Sequence, residues 1–357
     1  MIRRYRPREL LRFAARRLRR MLGSELNQIA YSMQTLGAWG APQVFQIELT
    51  NHCPMACTMC PRTHGMTRQL GYMDEGMFRE IVDQIAGYSE GIFLHHFGDS
   101  LVHPKLADCV GYAQARGVKT YLSANPSLLT PKRARQLIDS GLHELVLSLD
   151  GFTSETSAAI RGQAAGDVRL AENNIMTFLR IRKEKNVKAP RLMLQIVKQR
   201  QNQHEIEAWV NKWSAVKEID RIKIKSYVTW DGQNEHINSL RVTPAPDPGD
   251  IVCDKPWTSV TVLWDGRVVP CCFDYDGLFV LGDLRTDSLR SIWNGEKMRQ
   301  LRGAHRSGDL KDVRLCANCT DREGYPVGKW KYPFNRLLGR RSRLGDEERI
   351  SHNSGAR

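Results

Sequence analysis

Short apolar runs alternate with longer segments whose apolar residues recur at helical intervals, and the alternation repeats along the middle of the chain. Runs at 45–50 (FQIELT), 91–98 (GIFLHHFG), 119–125 (KTYLSAN), 144–150 (ELVLSLD), 191–198 (RLMLQIVK) and 221–228 (RIKIKSYV) predict strands. Between them, 74–87, 104–116, 131–140, 168–186 and 203–216 predict amphipathic helices. Repeated βα units of this kind call for an α/β fold with a parallel sheet, either doubly wound or closed toward a barrel. A parallel barrel gathers its chemistry at the C-terminal strand ends. Residues 229–252, with Pro244, Pro246, Pro248 and Gly249, read as a linker. Beyond it TVLWDGRVVPC folds back at Asp265-Gly266, a hairpin signal.

A different pattern opens the chain. Leu10, Leu11, Ala14, Leu18, Met21 and Leu22 recur at helical spacing, and residues 1–22 hold nine arginines against one glutamate. That segment supplies more than half of the net charge of +14. Residues 1–40 are expected to form a basic amphipathic extension that either docks through 3–22 on a membrane surface or partner, or packs its leucines on the main domain. Tyr5 and Phe13 alone lie among the arginines, short of the regular aromatic interleaving of single-strand binders, so no nucleic-acid partner is expected. At the other end, 335–357 is charged without apolar periodicity and reads as a disordered tail.

The 357 residues contain no apolar run of about eighteen, hence no predicted membrane-spanning helix. Seven of nine cysteines fall into two sets, Cys53, Cys57, Cys60 and Cys253, Cys271, Cys316, Cys319. Unpaired thiols at this density call for a reducing compartment, so the expected location is the cytoplasm, with the inner membrane surface as a peripheral option. The first set leaves the end of the first strand, and three thiolates on so tight a loop can hold three corners of a 4Fe–4S cube. A zinc site completed by His52 or His64 is the bland alternative. Four thiolates of the second set could complete an auxiliary 4Fe–4S cluster, or a structural zinc. Adjacent Cys272 could replace Cys271, and Cys109 lies in a helix as a core residue.

The C-x3-C-x2-C spacing of the first set resembles the radical S-adenosylmethionine (radical SAM) superfamily, and C-x12-G-x4-C from Cys253 to Cys271 resembles the opening of a SPASM or twitch domain. The resemblance implies a partial (β/α)6 TIM-like barrel over 41–228 and a small hairpin-plus-helix twitch domain over 253–334. It implies that SAM fills the open iron of the first cluster and is cleaved reductively to a 5′-deoxyadenosyl radical. A flavodoxin- or ferredoxin-type reductant goes with that chemistry. Too few cysteines are present for the two auxiliary clusters of a full SPASM domain, and the spacing is similar to that of the aminocyclitol dehydrogenase of butirosin biosynthesis, which has a one-cluster twitch.

Strand-end motifs are placed by the same resemblance. Gly98-Asp99-Ser100 stands where relatives carry Gly-Glu-Pro to hold the methionine amino group, with Asp99 shorter than the usual glutamate. Ser123-Ala124-Asn125 and Ser148-Leu149-Asp150 match motifs near SAM or substrate, Arg161 could clamp a carboxylate, and Met59 stands where relatives often place an aromatic near adenine. Turn and cap work is the plain alternative for Asn125 and Asp150. His95 and His96 alternate, so one alone can face the barrel interior.

The resemblance to that twitch dehydrogenase implies dehydrogenation of an alcohol carbon on a sugar- or cyclitol-like small molecule, a fully ligated auxiliary cluster taking the electron. Arg161 or a histidine could assist the proton. An epimerase would use a thiol such as Cys272 to return hydrogen. A peptide maturase often begins with a leader-binding domain of roughly eighty residues, more than the segment before the first strand provides. A non-catalytic iron–sulfur sensor or scaffold is the remaining class.

Overall fold

A computed structural model describes residues 7–165, 167–244, 247, 249, 251–322, 324–326 and 349–350. Helix α1 (Pro7–Ser32) leads into β1 (Gln43–Ile47), α2 (Pro61–His64), α3 (Glu75–Ile85), β2 (Gly91–Phe93), α4 (Leu106–Ala115) and β3 (Lys119–Ala124). Then follow α5 (Pro131–Asp139), β4 (Glu144–Ser148), α6 (Ser154–Arg161), α7 (Val168–Glu184), β5 (Arg191–Val197), α8 (Ile206–Ser214) and β6 (Arg221–Lys225). The C-terminal part holds α9 (Glu235–Ser239), β7 (Ile251–Cys253), α10 (Lys255–Thr258), β8 (Ser259–Val262), β9 (Arg267–Val269) and β10 (Gly282–Asp283). It ends in α11 (Leu289–Trp293), α12 (Glu296–Ser307), α13 (Arg314–Ala317), β11 (Gly324–Pro326) and β12 (Arg349–Ile350).

Strands β1 to β6 lie side by side in chain order and pair in parallel throughout. This is the partial, TIM-like (β/α)6 arrangement expected. Its helices start where the sequence supplies caps: Asp74 accepts from Met77 N, Thr130 from Arg133 N ahead of Pro131, and Asp167 from Arg169 N. Each strand turns one row of side chains toward the helices. Ile92 and Leu94, Leu122 and Ala124, Leu145 and Leu147, and Leu192, Leu194 and Ile196 join Phe78, Ile81, Val82 and Phe178 in one core.

The second domain is not set apart by the linker. Strand β8 pairs in parallel with β1, with Gln43 opposite Ser259 and Val44 opposite Val260, and β9 and β10 extend the same sheet antiparallel. An incomplete barrel leaves the outer edge of β1 exposed, and the hairpin covers it. Gly266, at φ +91°, makes the turn that Asp265-Gly266 predicts. Within 229–252, residues 235–239 form a short helix, while 245, 246, 248 and 250 lie outside the described residues. The tail expectation for 335–357 also lies outside them, except for β12, which pairs with β6.

Helix α1 is held by its C-terminal half. Tyr31 Oη donates to Val252 O at 2.6 Å, Ala30 and Tyr31 pack with Val252 and Trp257, and Asn27 bridges Ala41 O and Gly40 N. Leu18, Met21 and Leu22 stay exposed, so the reading in which they pack on the main domain is corrected. Among the described residues no helix is long and apolar enough to cross a membrane.

Candidate active site

The loop carrying the first cysteines leaves β1 and is gripped from three sides. His52 O accepts from Asp99 N at 2.9 Å; Ala56 N and Thr58 N donate to Arg161 O and Ile160 O at 3.0 and 2.8 Å; Met59 O accepts from Trp230 Nε1 at 2.9 Å. A Cβ on Gly98 would come 2.2 Å from Thr50 O, so only glycine lets the end of β2 approach the loop this closely. Gly162, at φ +81°, ends α6 against Ala56.

Cys57 is buried, and Cys53 and Cys60 are half-buried. Met55, Met59, Ile160, Tyr227 and Leu240 pack around them as an apolar collar. Burial pushes the Cys53 and Cys60 thiols up to about 12 and about 11, Cys57 lying near enough to add to both shifts. In the metal-free chain these thiols hold their protons, which iron must displace. Three neighbouring thiols on one dry, backbone-fixed loop fit a cube with one open corner.

Around the loop the strand-end residues are committed in ways the sequence leaves open. The Asp99 carboxylate accepts from Leu101 N at 3.0 Å and Asn125 N at 2.8 Å, tying the ends of β2 and β3 together beside Cys53. Burial pushes its carboxyl up to about 6. Asn125 caps the following turn through Ser127 N, as its cap alternative has it. Ser148 Oγ accepts from Gln195 Nε2 at 2.6 Å, and Asp150 accepts from Val197 N at 2.8 Å. Arg161 pairs with Asp150, and its Nη1 lies 3.7 Å from Cys57 Sγ. Burial alone would weaken its hold on a proton, but Asp150 and then Cys57 reverse this, so it stays a cation. Its partner is thus an internal carboxylate.

The second set closes on one cavity. Cys253 at the end of β7, Cys271 after β9, Cys316 in α13 and Cys319 line it together with Pro270, Phe273, Leu301 and His305. Cys272 is not among the lining residues, but its thiol meets that of Cys271. Phe273 N donates to Cys271 Sγ at 3.3 Å. Among the described residues, no three Cys, His, Asp or Glu side chains converge in single-ion geometry. A zinc draws its four sulfurs to about 2.3 Å from one centre, whereas a cube binds each thiolate to a different iron and holds them further apart. Four thiols lining one cavity supply the ligand set that such a cube needs.

One network escaped the sequence reading. Glu48, completely buried, takes two 2.8 Å bonds from Arg68 and one contact from His96 Nδ1 at 3.3 Å, while His96 Nε2 lies 2.9 Å from Cys272 O. Arg68 also donates to Tyr275 O, and Asp276 accepts from Thr67 N and Arg68 N. Burial would raise the Glu48 pKa, but His96 and Arg68 outweigh it and hold it near 2. The alternation of the two histidines is real: His96 serves this network, and His95 Nδ1 accepts from Ser123 N at 3.1 Å. Burial, then Lys225, lowers His95 to about 3, so it is neutral and carries its proton on Nε2. A lone glutamate directly after a strand was the only signal for the network.

Comparison with known proteins agrees with this geometry. Residues 47–209 match the radical SAM superfamily model, and 253–320 match SPASM, an iron–sulfur cluster-binding domain. The S-adenosyl-L-methionine-dependent 2-deoxy-scyllo-inosamine dehydrogenase of Niallia circulans is 19% identical over 78% of this chain and 92% of that protein. The tungsten-containing aldehyde ferredoxin oxidoreductase cofactor-modifying protein of Pyrococcus furiosus is 23% identical over 70% of this chain and 80% of that protein. The mycofactocin maturase MftC of Mycobacterium tuberculosis is 31% identical, but over 37% of this chain and 34% of that protein. The fold is shared with BtrN in complex with AdoMet and 2-DOIA, at 19% identity and TM-score 0.51 over 81% of this chain and 96% of that one.

Proposed function

We propose, on the premise that this chain belongs to the radical SAM superfamily and carries a SPASM domain, that it dehydrogenates an alcohol carbon of a sugar- or cyclitol-like small molecule. The cofactors are a 4Fe–4S cluster with SAM in the barrel and an auxiliary iron–sulfur cluster in the SPASM domain; together they supply hydrogen-atom abstraction from the substrate carbon and an acceptor for the second electron. Cys53, Cys57 and Cys60 would hold the first cluster, and Cys253, Cys271, Cys316 and Cys319 the second. Gly98 and Met59 border the first loop, and Ser123, Asn125, Ser148 and Asp150 stand at neighbouring strand ends.

The observation that carries the reading is the four-thiol wall of the second cavity. Four protein ligands leave no iron for substrate, so the cluster acts as an electron acceptor. The dehydrogenase relative, aligned over nearly its whole length, favours the same reaction class.

Arg161 does not serve as the proton acceptor, because it is a permanent cation held by Asp150. His95, with Nδ1 occupied, offers an Nε2–H and is suited to hold a substrate oxygen rather than to take its proton. The proton lost from the substrate hydroxyl leaves through solvent or a group on the substrate. The test is a screen of sugars and cyclitols with SAM and reductant, scored for ketone and 5′-deoxyadenosine in equal amounts. Nucleoside in large excess over ketone, or solvent deuterium in an unoxidised product, sinks the dehydrogenase and points to an epimerase.

A further inference from the structure

Helix α1 turns its apolar side away from the body of the protein. At about 100° per residue, Leu18, Leu22, Leu26, Ile29 and Met33 share one face, with Met21 at its border. Asn27, Ala30 and Tyr31 lie on the opposite face and make the contacts that hold the helix. The exposed residues are large and wet: Leu18 is 56% exposed, Met21 55%, Leu22 53% and Met33 49%. Trp39, 49% exposed just beyond the helix, adds an aromatic of the kind that settles at a membrane interface. An apolar row of this length on a water-facing side calls for a cover.

Charge selects the cover. Residues 1–40 carry nine arginines and only Glu9 and Glu25 as acids. A segment this rich in arginine beside an apolar row suits a helix lying in a bilayer surface, where cationic side chains meet headgroups. A second copy would bring two arginine-rich segments together, which repel; a plane of anionic lipid accepts both the row and the arginines.

We propose that α1 is a membrane-surface anchor that seats the protein on an anionic phospholipid leaflet with its apolar face down and the catalytic body on the other side. The proposal is independent of the substrate reading. Since the face bound to lipid is opposite the face bound to the protein, docking requires no rearrangement of Asn27, Tyr31 or Trp257.

The test uses the full-length protein with both clusters loaded. Co-sedimentation is measured with mixed phosphatidylcholine and phosphatidylglycerol vesicles and with phosphatidylcholine vesicles. The expected result is binding to the mixed vesicles that is at least about tenfold weaker on the neutral ones. The same loss is expected for Leu18→Glu/Leu22→Glu and for Arg16→Gln/Arg17→Gln/Arg19→Gln/Arg20→Gln, with helix content by circular dichroism and 5′-deoxyadenosine formation in solution unchanged. Absence of binding, equal binding to both vesicle types, or wild-type binding by the leucine variant would overturn it. So would a change in oligomeric state in the variants without a change in lipid binding, which would assign the face to a protein contact.

Discussion

His96 Nε2 lies 2.9 Å from the carbonyl oxygen of Cys272, and its other ring nitrogen faces Glu48 at 3.3 Å. A residue just beyond β2 therefore holds the backbone beside the second cysteine set, and the carboxylate behind it follows directly from β1, the strand that leads into the first set. The two candidate cluster sites share one buried charged support.

That support makes stability pH-dependent. Glu48 is held near 2 against an ordinary 4.5, a depressed carboxylate. Its contribution is fully present above about pH 4.5 and is lost as pH falls toward 2, worth about 3 kcal/mol from the width of that window. Denaturant unfolding of wild type and Glu48→Gln from pH 7 down to 3 should show the wild type losing stability over this range and the variant, already weakened by an unpaired Arg68, responding less.

Cys271 and Cys272 separate by iron content. Cys271→Ala should lose about four irons per chain and the auxiliary-cluster signal in electron paramagnetic resonance, while Cys272→Ala keeps both. The reverse result would move the ligand to Cys272.

Arg161→Gln leaves Asp150 buried without its cation and should cost about 3–5 kcal/mol by chemical denaturation. Because Arg161 also stands 3.7 Å from Cys57 Sγ, the variant should shift the spectrum of the first cluster, a change that mere loss of stability does not produce. Arg161→Lys should recover part of the stability, since one ammonium replaces a fork.

His95→Ala should lower ketone formation at least about tenfold while leaving substrate-free cleavage of SAM unchanged. Equal loss of both would place His95 in cofactor binding instead.

What was legible in the sequence followed from local signals. The strands showed as apolar runs, and both cysteine sets showed as spacings: one short loop carries Cys53, Cys57 and Cys60, while in the second set the fixed offsets of Cys253, Gly266 and Cys271 and the close pair Cys316 and Cys319 gave the signal. The pairing of β8 with β1 joins Ser259 to Gln43 and has no periodic signature. Glu48, Arg68 and His96 likewise meet only through the tertiary fold. Short α6 was missed because SETSAAIR carries too few apolar positions to show a period. For α1 the period was plain, but a period cannot tell which face the body covers; Asn27 and Tyr31 decide that. The strand-end motif at Asp99 was readable as a carboxylate, but not its two backbone donors, since these come from Leu101 and from the distant Asn125.

The most direct test of the account is anaerobic reconstitution with iron and sulfide counted per chain, followed by reduction with SAM and assay for 5′-deoxyadenosine. The account predicts about eight irons and formation of the nucleoside. About four irons, or about eight without cleavage of SAM, would contradict it.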